Sequence, residues 1–147
     1  MTAYHKGTKI IHKVMEGHNL IVTTGKTLIG NYLIDTSAVY DVGITYCALG
    51  ADNTAPAVGQ TTLVDEGGGA AMRKTITSKS RAVNEITLST FFTAAQSTIN
   101  LKEAGIFGHS TAGAGENSGI MFSRWLVSFD NSGATHYITI DYVLTIG

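Results

Sequence analysis

The stretch from Ile138 to Ile146 constrains this chain more than any other. Ile138, Ile140, Tyr142, Leu144 and Ile146 take alternate positions, with Thr139, Asp141 and Thr145 between them. Successive side chains of an extended strand point to opposite faces, so the spacing predicts a strand with one side in a core. Such a strand cannot bury its apolar side alone; it needs neighbours in a sheet and a second layer against it. The same period recurs upstream. Ile86, Leu88 and Phe92 share a face with Thr90, and Trp125, Val127 and Phe129 share one opposite Ser128 and Asp130. Ala71 to Ser80 alternates less cleanly around Met72, Lys74 and Ile76. Further strands are expected near Leu20 to Thr23, Ile44 to Leu49 and Ile99 to Phe107.

Between the alternating runs lie turn signals. Ala51 to Pro56 holds the single proline, Gly67-Gly68-Gly69 reads as flexible, and Ala82-Val83-Asn84-Glu85 joins two strand patterns as a hairpin would. Ser110 to Gly119, rich in Gly, Ser, Thr and Ala, reads as an exposed loop of variable conformation. From Thr24 to Ile34 the period changes: Leu28, Ile29, Tyr32 and Leu33 fall at helical spacing. Many short strands with one small helix predict an antiparallel β-sandwich of jelly-roll type. The reading divides the chain into an N-terminal arm, residues 1–17, and a single sandwich domain, residues 18–147. It finds no internal repeat and no linker.

A length of 147 residues fits one domain and lets roughly 70% of the unfolded surface be buried. Charged residues make up 14%, against a usual share of about 25%. Two readings fit this deficit: partners cover part of the surface, or threonine and serine hydroxyls supply the polarity. The net charge of −1 argues against a general nucleic-acid binder, which needs a basic field. The exception is the first segment, where His5, Lys6, Lys9, His12 and Lys13 precede any acid. It reads either as a basic arm reaching an acidic neighbour or as a solvated strand with ordinary lysines. Cys47 is the only cysteine, so no internal disulfide forms, and its apolar setting suggests a small buried hydrophobe. A polar N-terminus and the lack of any span-length apolar stretch suggest synthesis and folding in a reducing cytosol, with no membrane partner.

Chemical motifs are weak. Thr24-Gly25-Lys26-Thr27 has the end of a phosphate-binding loop, but the required earlier glycine is Leu20, so the backbone amides could not wrap a phosphate. The five histidines are not paired at the spacing that places two ligands on one face. No serine sits in a Gly-x-Ser-x-Gly elbow, and the eleven acids are scattered singly. The expectation is a protein that is not an enzyme and holds no cofactor or metal. Glu103 and Arg124 stand out as charges in mostly apolar strands. Such charges are tolerated when paired, or when they face solvent or another subunit. Glu103 and Arg124 are therefore candidates for a structural ion pair, with Arg124 also a candidate inter-subunit contact.

Several short motifs occur in a telling order. Ala48-Leu49-Gly50 ends an extended segment, Thr54-Ala55-Pro56-Ala57 forms a loop, and Thr61-Thr62-Leu63 follows. Arg73-Lys74 then opens a strand, Glu103-Ala104-Gly105-Ile106-Phe107 comes next, and Arg124 lies in a late strand. In this order the chain resembles a group of small tailed-phage virion proteins, found as capsid decoration proteins or as tail-fibre and baseplate components. The resemblance runs from about Leu20 to Ile146 and departs at the glycine triplet, the Ser110 to Gly119 loop and the segment before Leu20. It implies a β-sandwich that acts as a homotrimer in the virion, made in the host cytoplasm. The leading expectation is a cement protein bound to the major capsid protein, with His5, Lys6, Lys9, His12, Lys13 and Arg124 as candidate capsid or inter-subunit contacts. The alternative is a tail component, where the 110–119 loop and Tyr40 or Tyr46 would touch a host glycan or an adjacent fibre. An unrelated carbohydrate-binding module or enzyme subunit completes the set.

Overall fold

The alternating segments become strands of two sheets in the computed structural model, which describes residues 1–6, 11–34, 43–67 and 72–146. In chain order the strands are β1 (Thr2–His5), β2 (Ile11–Val14), β3 (Leu20–Ile21), β4 (Ile44–Gly50) and β5 (Arg73–Thr75). They continue with β6 (Ser78–Ala82), β7 (Glu85–Phe92), β8 (Asn100–Gly108), β9 (Ile120–Asp130) and β10 (His136–Thr145). The helix α1 (Thr23–Ile34) lies between β3 and β4. The first sheet has the order β2-β1-β10-β7-β6 and the second β3-β9-β8-β4-β5, each five-stranded. Every pairing between named strands is antiparallel.

One core joins the sheets. Ala3, Leu88, Phe92, Ile138, Ile140 and Tyr142 come from the first; Cys47, Leu49, Leu101, Ala104, Ile106, Phe122, Trp125 and Phe129 come from the second. On β10 the buried positions are His136, Ile138, Ile140 and Tyr142, and the residues between them face outward. Tyr142 meets Phe122 edge-on at 6.3 Å and Trp125 tilted at 5.5 Å, geometries that aromatic pairs favour. The protein is therefore a mainly-β sandwich with one short helix, the class that the period-2 pattern implies.

The outer faces of the two sheets differ. Over the second sheet, Val22 and Leu63 pack with Ala48, Phe107 and Met121 in a second apolar cluster. Gly25 lets α1 seat directly on β9, because a Cβ there would overlap the backbone of Phe122. Thr24 Oγ1 donates to the Met121 carbonyl at 2.9 Å beside it. The 51–67 connection completes the cover and returns to the end of β4: Ala51 N donates to Asp65 O at 2.9 Å and Gly67 N to Leu49 O at 3.0 Å. No such layer lies on the first sheet among the described residues.

One expectation needs correction, and two others gain detail. Residues 71–80 are not one strand: β5 pairs with β4 in the second sheet, and β6 pairs with β7 in the first. At the switch, Ile76 N donates to Thr45 O and Thr77 N to Ser89 O, which resets the alternation. Of the two readings of the N-terminal segment, the strand holds and the free arm does not. β1 lies between β2 and β10, Ala3 is fully buried opposite Ile138, and Met1 and Met15 pack on the core. The 110–119 loop is bonded internally: Ser118 Oγ accepts the Gly113 amide and donates to the Gly113 carbonyl, both at 3.0 Å. The hairpin at 82–85 is present as the β6–β7 turn, with Val83 at a φ of 54°. Of the glycine triplet, Gly68 and Gly69 lie outside the described residues, as does Tyr40.

Candidate assembly surface

Two buried ion pairs brace the covered side. Arg124 Nε lies 2.5 Å from Glu103 Oε2, with both side chains fully excluded from water. The second Glu103 oxygen accepts the Asp65 amide at 2.7 Å, and Oε2 also accepts the Val64 amide at 3.1 Å. Arg124 Nη1 donates to Gln60 Oε1 at 3.2 Å. Glu103 thus ties the 51–67 connection to β8 with charge-assisted bonds, which are about twice as strong as neutral ones. In the other pair Arg73 Nη1 donates to both Glu66 oxygens, at 3.0 and 2.8 Å. Arg73 Nη2 donates to Ser118 O at 2.5 Å, and its guanidinium carbon sits 3.9 Å from the centre of the Phe107 ring. Glu66 also accepts the Asn117 amide at 3.1 Å, so this pair pins the 110–119 loop.

Every residue of the Glu103–Phe107 run now has a physical role. Glu103 clamps the connection, and Ala104 and Ile106 enter the main core. Gly105 leaves room for Leu63, whose Cδ2 would lie 2.9 Å from an added Cβ. Phe107 enters the second cluster beneath Arg73. The run is a device for holding a third layer on a sheet.

Arg124 was a candidate contact with another subunit; its complete burial within its own chain, against Glu103, corrects that. The other candidates lie on the opposite sheet. His5 is on β1 and pairs in register with His136 of β10, and His12 is on β2. Lys6 is exposed just beyond β1, where its amide donates to Thr135 O at 2.8 Å. Lys13 is exposed, and its Nζ donates to Ser128 O at 3.3 Å, across to the second sheet. Lys9 lies outside the described residues.

What sequence reasoning missed is the bare outer face of the first sheet. Alternation turns Thr87, Ser89, Phe91, Tyr137, Thr139, Asp141, Val143 and Thr145 outward, opposite the buried positions of β7 and β10. Phe91 and Tyr137 pack against one another at 5.7 Å, diagonally across the β7–β10 pair, where Phe91 lies opposite Thr139. Ile11 is 56% exposed, Val14 58%, Val143 46% and Phe91 42%, an unusual density of apolar surface for a solvated sheet. Its described ionised side chains are two carboxylates, Asp141 and Glu85; Ser89 Oγ donates to Asp141 at 2.7 Å. A groove of about 930 Å³ borders the face, where Val14, His18, Lys102, Leu126, Asp141 and Val143 meet. Partial burial lowers the pKa of the Met1 amine at this margin, where it donates to Met15 O at 2.8 Å.

Among the described residues no group of three or more His, Cys, Asp and Glu side chains is placed to hold a metal ion. No helix among them is long and apolar enough to cross a membrane. Comparison with protein-family models, with curated proteins and with solved structures gives no match.

Proposed function

We propose that this chain is a bacteriophage virion structural protein, most directly a capsid decoration protein that binds the assembled head as a trimer and stabilises it. The observation that carries the reading is the asymmetry of the sandwich. One sheet is sealed by the chain's own third layer, and the other leaves an apolar, hydroxyl-bearing face open to a partner. The order of short motifs from Ala48 to Arg124 supports it, because those residues build the braced layer that such a scaffold requires.

The mechanism is mechanical. A protein that binds only the assembled shell stabilises it by mass action, by about 2.7 kcal/mol per site at a hundredfold excess over its Kd. Copies that also bind each other tie neighbouring capsid subunits together and raise the work of separating them. Lys6 and Lys13 are exposed and are among the described cations available to an acidic lattice. Nothing in this role needs a cofactor, nucleic acid or membrane.

One observation favours the alternative of a tail-fibre, baseplate or receptor-binding component. The exposed 110–119 loop is pinned by Arg73 and Glu66, and a fixed loop suits recognition of a host glycan. Counting copies in purified particles of the encoding virus, by quantitative mass spectrometry, decides between them. Hundreds of copies per particle are expected for a head protein; a few to tens place it on the tail. Particles lacking the chain altogether overturn both.

A further inference from the structure

We infer that the groove between β9 and the ends of β2 and β10 binds a short, uncharged saccharide. The inference goes beyond the proposed function, which gives this groove no ligand. It also differs from the glycan contact of the tail alternative, which belongs to the 110–119 loop. Six residues of β9 separate Leu126, in the groove, from Ile120 at that loop, about 20 Å at 3.3 Å per residue.

A sugar ring offers a face of C–H bonds and a rim of hydroxyls that both donate and accept. A site for it therefore needs an apolar wall beside planar polar groups that bond neighbouring hydroxyls. The groove supplies both. Leu126 and Val143 form the wall, 37% and 46% exposed, and Trp125 lines it with them. Facing the same space are Asn19, from the connection after β2, and Asn53, from the 51–67 connection. Both are exposed, and among the described residues neither side-chain amide has a hydrogen-bond partner. Each amide carries a donor and an acceptor on one plane, the pattern that two adjacent hydroxyls match. Asp141 adds a carboxylate that accepts from hydroxyls, as it already does from Ser89 Oγ at 2.7 Å.

Size and charge narrow the ligand. A volume of about 930 Å³ lies inside the range of roughly 300–1,000 Å³ usual for small-ligand sites. Glu16 and Asp141 stand against Lys102 along the lining, so the groove lacks the basic field that a phosphate, nucleic acid or acidic glycan requires. A purely apolar ligand would strip water from the amides and carboxylates and return nothing. A hydroxyl-rich, uncharged one returns those bonds and still covers Leu126 and Val143.

Trp125 is the only tryptophan of the chain, so its fluorescence reports on this groove. The test titrates the full chain with chitotriose, maltotriose and lactose, and with sialyllactose as the acidic counterpart of lactose. The expected result is a saturable change in emission with at least one neutral sugar. Asn19→Ala and Asn53→Ala should each weaken that binding about fivefold, the loss of one hydrogen bond. Both positions are exposed, and melting curves check that the variants stay folded. Glu116→Ala, in the 110–119 loop, should bind as wild type does. No saturable change with any neutral sugar overturns the inference, as do folded asparagine variants that bind as tightly as wild type. Preference for sialyllactose over lactose, or loss of binding in Glu116→Ala, overturns it too. Copy number in particles is read separately, so the proposed function stands or falls without this result.

Discussion

Glu103 makes three bonds and Arg124 two, so the consequences of deleting them differ. Removing Glu103 strands a buried guanidinium and leaves the Val64 and Asp65 amides without their acceptor. Removing Arg124 leaves a carboxylate that still accepts both amides. Breaking a buried pair costs about 3–5 kcal/mol, and a buried carboxylate keeping two amide donors is the less exposed to that cost. We expect Glu103→Ala to destabilise more than Arg124→Ala, with both losses on the order of several kcal/mol in urea titrations. Glu103→Ala should also accelerate hydrogen exchange at Val64 and Asp65; the reverse ordering would show that the clamp is not what holds the connection. Cys47 offers a second check. Burial pushes its thiol up to about 12, outweighing the nearby Thr90 hydroxyl and the field of Arg73, which act the other way. At pH 8 the folded protein should therefore leave an aromatic disulfide reagent unreacted, and one thiol should appear in denaturant. Reaction in the native state would place Cys47 outside the core.

β1 is the element whose role the sequence disguised. The lysines and histidines of residues 5–13 read either as an arm or as a solvated strand; Ala3 sits against Ile138, and β1 hydrogen-bonds to both β2 and β10. Deleting residues 1–16 removes two strands and uncovers the β10 edge of the core. The expected outcome is a large drop in melting temperature or loss of folding, measured by circular dichroism; an intact, equally stable sandwich would restore the arm. The strands themselves were legible, because β7, β9 and β10 show their period in the side chains. The N-terminal pair was not, since Thr2-Ala3-Tyr4-His5 is too short and too polar to show a period. The β5–β6 break was hidden for a related reason: a chain that changes sheets at Ile76 and Thr77 resets its alternation, and spacing alone blurs into one poor strand. Glu103 and Arg124 were visible as charges in apolar strands. Glu66 and Arg73 were not, because the Glu66 carboxylate reaches its partner only after the 51–67 connection has folded back along β4.

The whole molecule carries its charges in places that leave the outer face of the first sheet almost without them. Glu66, Arg73, Glu103 and Arg124 are spent in pairs on the far side, Lys79 and Arg81 guard the β6 edge, and the bare face keeps Asp141 and Glu85. This distribution dictates how binding of a partner to that face responds to solvent. Salt screens exposed charges over about 10 Å at 0.1 M and about 3 Å at 1 M. A contact made by β2 and Lys13 against an acidic neighbour would weaken steadily as salt rises. A contact made by Phe91, Val143 and threonine hydroxyls has no attraction to screen, only the mutual repulsion of its carboxylates. We therefore expect the amount of chain retained on particles to hold or rise between about 0.05 and 1 M sodium chloride, and to rise further in sulfate, which strengthens apolar burial. Retention that collapses in 1 M salt would mean that ion pairs, and not this sheet face, hold the chain to the particle.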